Sequence, residues 1–437
     1  MPMNHTRLGT VRAKELDRKS RRAIVAGSIG NAVEFIDWAV YTTFSSVFAH
    51  HFFPPGNDGA ALLSTLAIFA VGFVVRPVGA AIMGAYADRH GRKKGLVLTI
   101  GLMAAATFVI GVSPSYAQAG LAAPVILVVA RVAQGFAAGG EFGSASAFLV
   151  ESAGPGRRAF AGSWQQVSVG AGILIASGMG AIVTSALPRQ AVDSWGWRLA
   201  FVVASLFGLA GLWLRRSVDE TDSFRRGESR TTGSGERRNV LVRMVREHPK
   251  AALRVFGLNI AGVVLYNMWL TYLPTYAAIS THIPLNQALL ANVIGLVAFV
   301  ILLPFAGLLS DKIGRKPTMT AFAGGFLVLA WPAFRLLTGD FRLLLLVQVA
   351  GLVLLLGYSA NVVAIMAEQF PPEVRATGIG LPYALAVAIF GGTVPYLTTF
   401  LTTHGLGTWV WSYCAIAAAI GLIIYLTMPE TKDKRIE

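Results

Sequence analysis

Five ionisable side chains fall inside long apolar stretches of this sequence: Glu34, Asp37, Arg76, Arg131 and Glu141. A charged group at the centre of a bilayer costs about 2.5–3.5 kcal/mol even on lenient insertion scales, so each such residue marks a functional site by default. Glu34, Asp37 and Tyr41 are spaced i, i+3 and i+7 and therefore share one helix face. A rise of 1.5 Å per residue puts both acids roughly 15–20 Å from one end of their helix, and Arg131 roughly 13 Å from the opposite end of its own. All three then lie near the midplane. Two nearby carboxylates resist ionising together, which suits one of them to take up a proton near neutral pH. Structural ion pairing with Arg76 or Arg131 is the alternative. Of the two acids, Asp37 is the favoured carrier. The histidines (His5, His50, His51, His90, His248, His282 and His404) sit in tails, loops or helix ends, so a carboxylate must carry any proton across. Adjacent His50 and His51 lack a third ligand, and no metal site is expected.

Arg131 has two readings. Its guanidinium can grip a substrate carboxylate bidentately, or it can stay paired with Glu34 or Asp37 and change partner when the acid is protonated. Glu141, about 15 Å further along the helix, is too distant to pair with it. The second half of the chain offers uncharged polar groups in corresponding runs: Asn259, Tyr266, Asn267, Trp269 and Tyr272, then Tyr358 and Asn361. Arg131, Arg76, Tyr41, Gln134, Tyr266, Trp269, Asn267 and Asn361 form the candidate substrate-binding set. Gly135, Gly139 and Gly143 recur every four residues and read as a close helix-packing face. No nucleophile, metal cluster or phosphate-binding loop in strand–helix context is present, so no catalytic residue is assigned and the chain is not read as an enzyme.

These residues require spanning helices to hold them. The 437 residues are 54% hydrophobic and 14% charged, against about 25% charged in ordinary globular domains, with a mean hydropathy of +0.60. Apolar runs long enough to cross a ~30 Å hydrocarbon core recur throughout. Expected spans are 24–50, 61–86, 95–113, 122–150, 160–186 and 196–214, then 253–279, 287–309, 318–337, 343–367, 377–403 and 408–427. The net charge of +15 reports topology, because 31 of the 37 Lys and Arg lie in alternate connections and the two tails. Arg189, Arg198, Arg335 and Arg342 lie on the other side, and Arg76 and Arg131 lie inside spans. That asymmetry places both tails in the cytoplasm and removes the need for nucleic acid as a partner. The polar stretch 215–250 reads as a cytoplasmic linker. It separates a first bundle (23–214, after a tail 1–22) from a second (251–428, before a tail 429–437).

Two motifs recur in the same order in both halves. Gly84-Ala-Tyr-Ala-Asp88-Arg-His-Gly91-Arg92-Lys93 is matched 223 positions later by Gly307-Leu-Leu-Ser-Asp311-Lys-Ile-Gly314-Arg315-Lys316. Glu151-Ser-Ala-Gly-Pro155-Gly-Arg-Arg158-Ala159 is matched by Glu368-Gln-Phe-Pro-Pro372-Glu-Val-Arg375-Ala376. Such internal repetition is the mark of a duplicated transporter. An Asp at a helix end can cap a neighbouring helix, and the nearby Arg can pair with a carboxylate. Glu151 is the expected partner of Arg92, and Glu368 of Arg315. Gly84, Asp88, Arg92, Glu151, Asp311, Arg315 and Glu368 make up a candidate cytoplasmic gate.

With these turns and Arg131-Val-Ala-Gln134-Gly135, the chain resembles the major facilitator superfamily. Gly30-Asn31-Ala-Val-Glu34-Phe-Ile-Asp37, Arg76-Pro77-Val-Gly79, Gln134-Gly135-Phe-Ala-Ala-Gly139-Gly140-Glu141 and Trp195-Gly196-Trp197-Arg198 narrow the resemblance to the metabolite:proton symporters. That family includes carriers of 2-oxoglutarate, citrate, shikimate and proline or betaine. The resemblance implies an all-α membrane protein of twelve helices in two pseudo-symmetric six-helix bundles, whose basic loops latch the cytoplasmic side. It also implies symport of a small organic acid, such as a di- or tricarboxylate, with a proton as the coupling ion and no cofactor. The alternatives are a zwitterionic osmolyte as substrate and, beyond that, a solute receptor that does not transport. The expected setting is a bacterial-type cytoplasmic membrane, with the lipid bilayer and a small-molecule substrate as partners and a monomer as the working unit.

Overall fold

The computed structural model describes residues 31–90, 92–138, 142–151, 153, 156–216 and 242–432. They are almost entirely helical. The first bundle contains α1 (31–52), α2 (Asp58–His90), α3 (Arg92–Val112), α4 (Ala122–Ala137, resuming as Phe142–Glu151), α5 (Arg158–Ala186) and α6 (Trp197–Arg216). The second contains α7 (Pro249–Thr281), α8 (Leu285–Ile313), α9 (Arg315–Leu336), α10 (Phe341–Glu368), α11 (Arg375–Thr403) and α12 (Val410–Thr427). Among the described residues, nine helices are long and apolar enough to cross a membrane, and Val97–Val112 and Ala122–Ala137 are shorter apolar segments in α3 and α4. Pro249 starts α7 at its first turn, where the missing N–H costs nothing.

The expected spans and the observed helices agree closely, with differences where local geometry intervenes. α10 is interrupted between Ser359 and Val362, and α7 and α11 each contain a π turn, at Asn267–Tyr272 and Val387–Gly391. A π turn inserts one residue into the helical register and rotates everything beyond it, and such turns often stand at functional sites. Hydropathy averages over a window and does not register them.

The outer surface is apolar, as lipid contact requires: Val328, Ile182 and Phe305 are 77%, 68% and 63% exposed. Polar and charged groups go inward, and Asp37, Arg76, Arg131, Gln134, Asp311, Arg315, Glu368 and Arg375 are all buried. The halves meet where α5 runs against α8, and α4 and α2 against α11. Two of the three spaced glycines on α4 serve packing. A Cβ on Gly135 would lie 2.0 Å from the Gly72 carbonyl oxygen of α2, and one on Gly143 would lie 2.4 Å from the Ala376 carbonyl oxygen of α11. Gly139 and Glu141 lie outside the described residues.

Candidate functional site

Although Glu34 and Asp37 share a face of α1, each turns to its own arginine. Arg76 Nη2 donates to Glu34 Oε1 at 2.7 Å. Arg131 Nη1 stands 3.7 Å from Asp37 Oδ2, beyond hydrogen-bond range. Residues at i and i+3 on a helix diverge by about 60° around the axis. That offset is enough to send one acid to α2 and the other to α4. Each acid thus has an arginine of its own close by. Asp37 Oδ1 accepts from Thr107 Oγ1 of α3 at 2.5 Å and from Gln134 Nε2 of α4 at 2.8 Å, while Oδ2 accepts no hydrogen bond. The Arg131 guanidinium lies 3.6 Å above the Tyr41 ring with 0% exposure, and none of its three nitrogens makes a hydrogen bond.

Between the halves lies a cavity of about 50 Å³. Phe35, Trp38, Ala39 and Thr42 of α1, Phe69, Phe73 and Arg76 of α2, and Gln166 of α5 line it from the first bundle. Val263, Tyr266, Asn267 and Thr271 of α7, Tyr358 of α10, and Tyr383 and Val387 of α11 line it from the second. Both π turns contribute to this wall. Arg76 is the one cationic side chain among the described lining residues, and it rests 4.4 Å from the Trp38 ring centroid.

Of the eight candidate substrate-binding residues, Arg76, Tyr266 and Asn267 line the cavity and the other five do not. Arg131 and Gln134 lie behind the wall in the Asp37 cluster. Tyr41 is turned away, its hydroxyl donating to the Thr65 carbonyl at 2.8 Å. Trp269 donates to the Val347 carbonyl at 3.1 Å and packs against Phe326 and Phe334, on the side of α7 away from the cavity-lining Asn267 and Thr271 two residues to either side of it. Asn361 bonds to Ser310 and Thr318 where α8, α9 and α10 meet, and so serves the end of the bundle that carries the basic turns. Sequence reasoning missed Trp38, Phe73, Gln166, Thr271 and Tyr383. Only Trp38, next in sequence to Asp37, carried a usable signal.

At that end the duplicated motifs exchange partners. Arg375 Nη1 of the second copy donates to Glu151 Oε1 of the first at 2.5 Å, and Arg158 Nη1 of the first approaches Glu368 Oε1 of the second at 3.5 Å. Arg315 joins Glu368 at 3.0 Å, the expected partner, and also Asp311 at 2.8 Å. Asp311 also crosses between halves, accepting the Ala159 and Phe160 amides at 3.1 and 2.9 Å and so capping α5. Glu151 is thus held by Arg375, a partner that spacing did not suggest. The side chains of Asp88 and Arg92 lie outside the described residues, and Gly84 lies within α2.

Phe142 of α4 stacks on Tyr383 of α11, a residue of the cavity wall, with centroids 4.0 Å apart. Gly143 meets backbone atoms of Ala376 and Gly380, which cannot yield as a flexible side chain would. Gly143→Val is therefore expected to prop this end open. Alkylation of a cysteine placed at Tyr383 by a reagent applied from that end should accelerate severalfold or more, and an unchanged rate would refute the contact's role.

Three comparisons bear on this arrangement. A sequence profile described as sugar (and other) transporter matches residues 24–437. The chain is 34% identical over 426 residues to the glycine betaine/proline/ectoine/pipecolic acid transporter OusA of Dickeya dadantii, covering 96% of this chain and 85% of that one. It is 34% identical over 391 residues to the citrate-proton symporter of Klebsiella pneumoniae, covering 87% and 85%. A crystal structure of a D-xylose-proton symporter superposes with a TM-score of 0.71 over 94% of this chain and 99% of that one, and at 19% identity the likeness concerns the fold.

Proposed function

This chain belongs to the sugar (and other) transporter family, and on that premise we propose that it is a proton-coupled symporter importing a small organic acid by alternating access. The observation that carries the reading is the allocation of buried charge. One acid–arginine pair, Glu34–Arg76, stands at the cavity wall, and a second, Asp37–Arg131, stands sealed behind it. In the proposed cycle the solute carboxylate takes Arg76 bidentately, Asp37 or Glu34 takes the proton, and the halves rock about the cavity. Breaking the Glu151–Arg375 and Asp311–α5 contacts opens the inner side. The coupling ion is the proton, without cofactor. The working unit is a monomer in a bacterial-type cytoplasmic membrane, with the basic turns and both tails inside. Nucleic acid has no part.

A second reading, a zwitterionic osmolyte, is favoured by one feature of the cavity. The one cation among its described lining residues already faces Glu34, while half of the remaining wall is aromatic: Phe35, Trp38, Phe69, Phe73, Tyr266, Tyr358 and Tyr383. Aromatic faces attract alkylammonium groups, and the relative from Dickeya dadantii is named for glycine betaine and proline.

The test is uptake into proteoliposomes under an imposed pH gradient, with mono-, di- and tricarboxylates against betaines. Uptake indifferent to collapse of the gradient would sink the symport reading. Arg76→Ala should raise KM for the carried solute roughly 10–100-fold, since hydrogen bonds to charged groups are worth about 1.5–3 kcal/mol. Arg76→Lys should recover little of this where binding is bidentate.

A further inference from the structure

We propose that Trp38 is the coupling residue of this transporter: its indole is the partition between the solute cavity and the Asp37–Arg131 proton site, and it must move before a proton can pass. The inference rests on the symport reading above and adds the element that links its two sites.

Trp38 follows Asp37 directly on α1. It lines the cavity yet is only 4% exposed, whereas Asp37 and Arg131 do not line the cavity. One ring serves two guanidinium groups, the Arg76 Cζ lying 4.4 Å from its centroid and the Arg131 Cζ 5.3 Å. The first cation belongs to the cavity and the second to the sealed site. Phe73 and Phe69 complete the partition at 4.2 and 5.4 Å from the indole, so the wall between the sites is aromatic and dry.

Beside this wall the polar groups are under-satisfied. Asp37 Oδ2, all three Arg131 nitrogens, Gln134 Oε1 and the Trp38 Nε1–H are buried without hydrogen bonds. Buried polar atoms in native proteins are paired with protein groups or with ordered water, and this cluster has the chemistry to hold water or to change partners during function. The indole is also not pinned by a polar contact of its own. Packing holds it: a Cβ on Gly72 would fall 2.9 Å from its Cη2, so the ring fills the space that a side chain there would occupy.

The mechanism follows from the stacking. While Glu34 holds Arg76, the guanidinium lies on the indole and keeps the partition closed. When a solute carboxylate engages Arg76, the guanidinium is drawn off the ring, and the indole loses the cation–π contact that fixed it. Rotation of the ring then admits water from the cavity to Asp37 Oδ2. That water relays a proton from the outside solution, taking one up as it gives one to the carboxylate, which becomes a neutral acid, and Arg131 loses its counter-charge. A proton thus enters only when solute is bound.

The experiment uses the full chain in proteoliposomes containing a trapped pH-sensitive dye, with proton entry measured with and without labelled solute. Wild type should admit protons in proportion to solute. Were it to admit none, the symport reading itself would fail, independently of Trp38. Trp38→Ala and Trp38→Leu should raise solute-free proton entry at least tenfold and increase the protons carried per solute, and Trp38→Phe should restore much of the coupling. Should either small-side-chain variant that elutes as a monodisperse protein retain the wild-type ratio and show no leak, the proposal is overturned, even if KM rises. Trp38 would then be only a wall of the cavity.

Discussion

Asp37→Asn is expected to abolish proton-driven accumulation. Each pH unit represents 1.36 kcal/mol, so a two-unit gradient can sustain about 100-fold accumulation at one proton per solute. The variant should fall to equilibration, with an inside-to-outside ratio near one. The geometry explains why one atom matters this much. Asp37 Oδ1 is committed to Thr107 and Gln134, which an asparagine carbonyl would keep. Oδ2 is the oxygen without a hydrogen bond and the one nearest Arg131, at 3.7 Å. Replacing it with an amide nitrogen removes both the charge and the proton acceptor while preserving shape. It also strands Arg131, and leaving one partner of a buried pair uncompensated costs about 3–5 kcal/mol. Solute exchange in the absence of a gradient separates the two effects. Exchange needs no net proton movement, and should persist at a reduced rate in protein that is still folded. Accumulation at the wild-type level would show that Asp37 is not the carrier, and Glu34→Gln would then be the variant expected to fail.

The second large effect is expected at the opposite end of the charge network. Arg315→Ala should release the cap that joins the halves. Arg315 is 1% exposed and donates to Asp311 at 2.8 Å, to Glu368 at 3.0 Å and to the Ser310 carbonyl at 3.2 Å. Without it, two buried carboxylates lose the cation they share, and Asp311 is left with the Ala159 and Phe160 amides while Arg158 stands 3.5 Å from Glu368. The penalty of about 3–5 kcal/mol is relieved by opening this end to water. That corresponds to a shift of roughly 10²–10³-fold in the conformational equilibrium, at about 1.4 kcal/mol per decade. The Ala159 and Phe160 amides, which donate to Asp311 across the interface, provide a direct readout. Their hydrogen exchange should accelerate in Arg315→Ala and in Asp311→Asn, with exchange in the middle of α12 unchanged. Unaltered protection at these two amides would mean that the cluster stabilises the second bundle alone. The Thr431 hydroxyl, 2.5 Å from Glu368 Oε2, and the Glu430 carboxylate, which accepts the Arg315 and Lys316 amides at 2.9 Å, support the same corner. Partial burial of Glu430 raises its pKa. The amides of Arg315, Lys316, Lys432 and Thr431 nonetheless hold it below the usual carboxylate value.

Much of this was legible in the chain itself, for identifiable reasons. Hydrocarbon thickness constrains the length of an apolar run, and loop charge constrains its direction, so the twelve helices and their division into two bundles followed from pattern alone. The cost of burying charge singled out Glu34, Asp37, Arg76 and Arg131 before any contact was known. Duplication of the Glu-x3-Pro-x2-Arg-Ala motif singled out Glu151 and Glu368, though not Arg375 and Arg158 as their partners.

Partner choice was not legible. Helical period tells which residues share a face, but it is silent about which neighbouring helix that face meets. Only the packing of α1 against α2, α3 and α4 assigns Glu34 to Arg76 and places Asp37 among Thr107, Gln134 and Arg131. The same limit explains the exchange at the gate. Spacing within one copy of the motifs suggested only Arg92 for Glu151, and the relation between the two bundles brings Arg375 to it as well as whatever its own copy supplies. Two π turns, each a one-residue change of register, supply Asn267, Thr271 and Val387 to the cavity wall. Sequence determined the architecture and the charged residues, because both follow from transfer between water and hydrocarbon, a property of single segments. Tertiary structure alone decided which charges meet and which side chains face the solute, because those depend on the rotation and crossing of helices that are far apart in the chain.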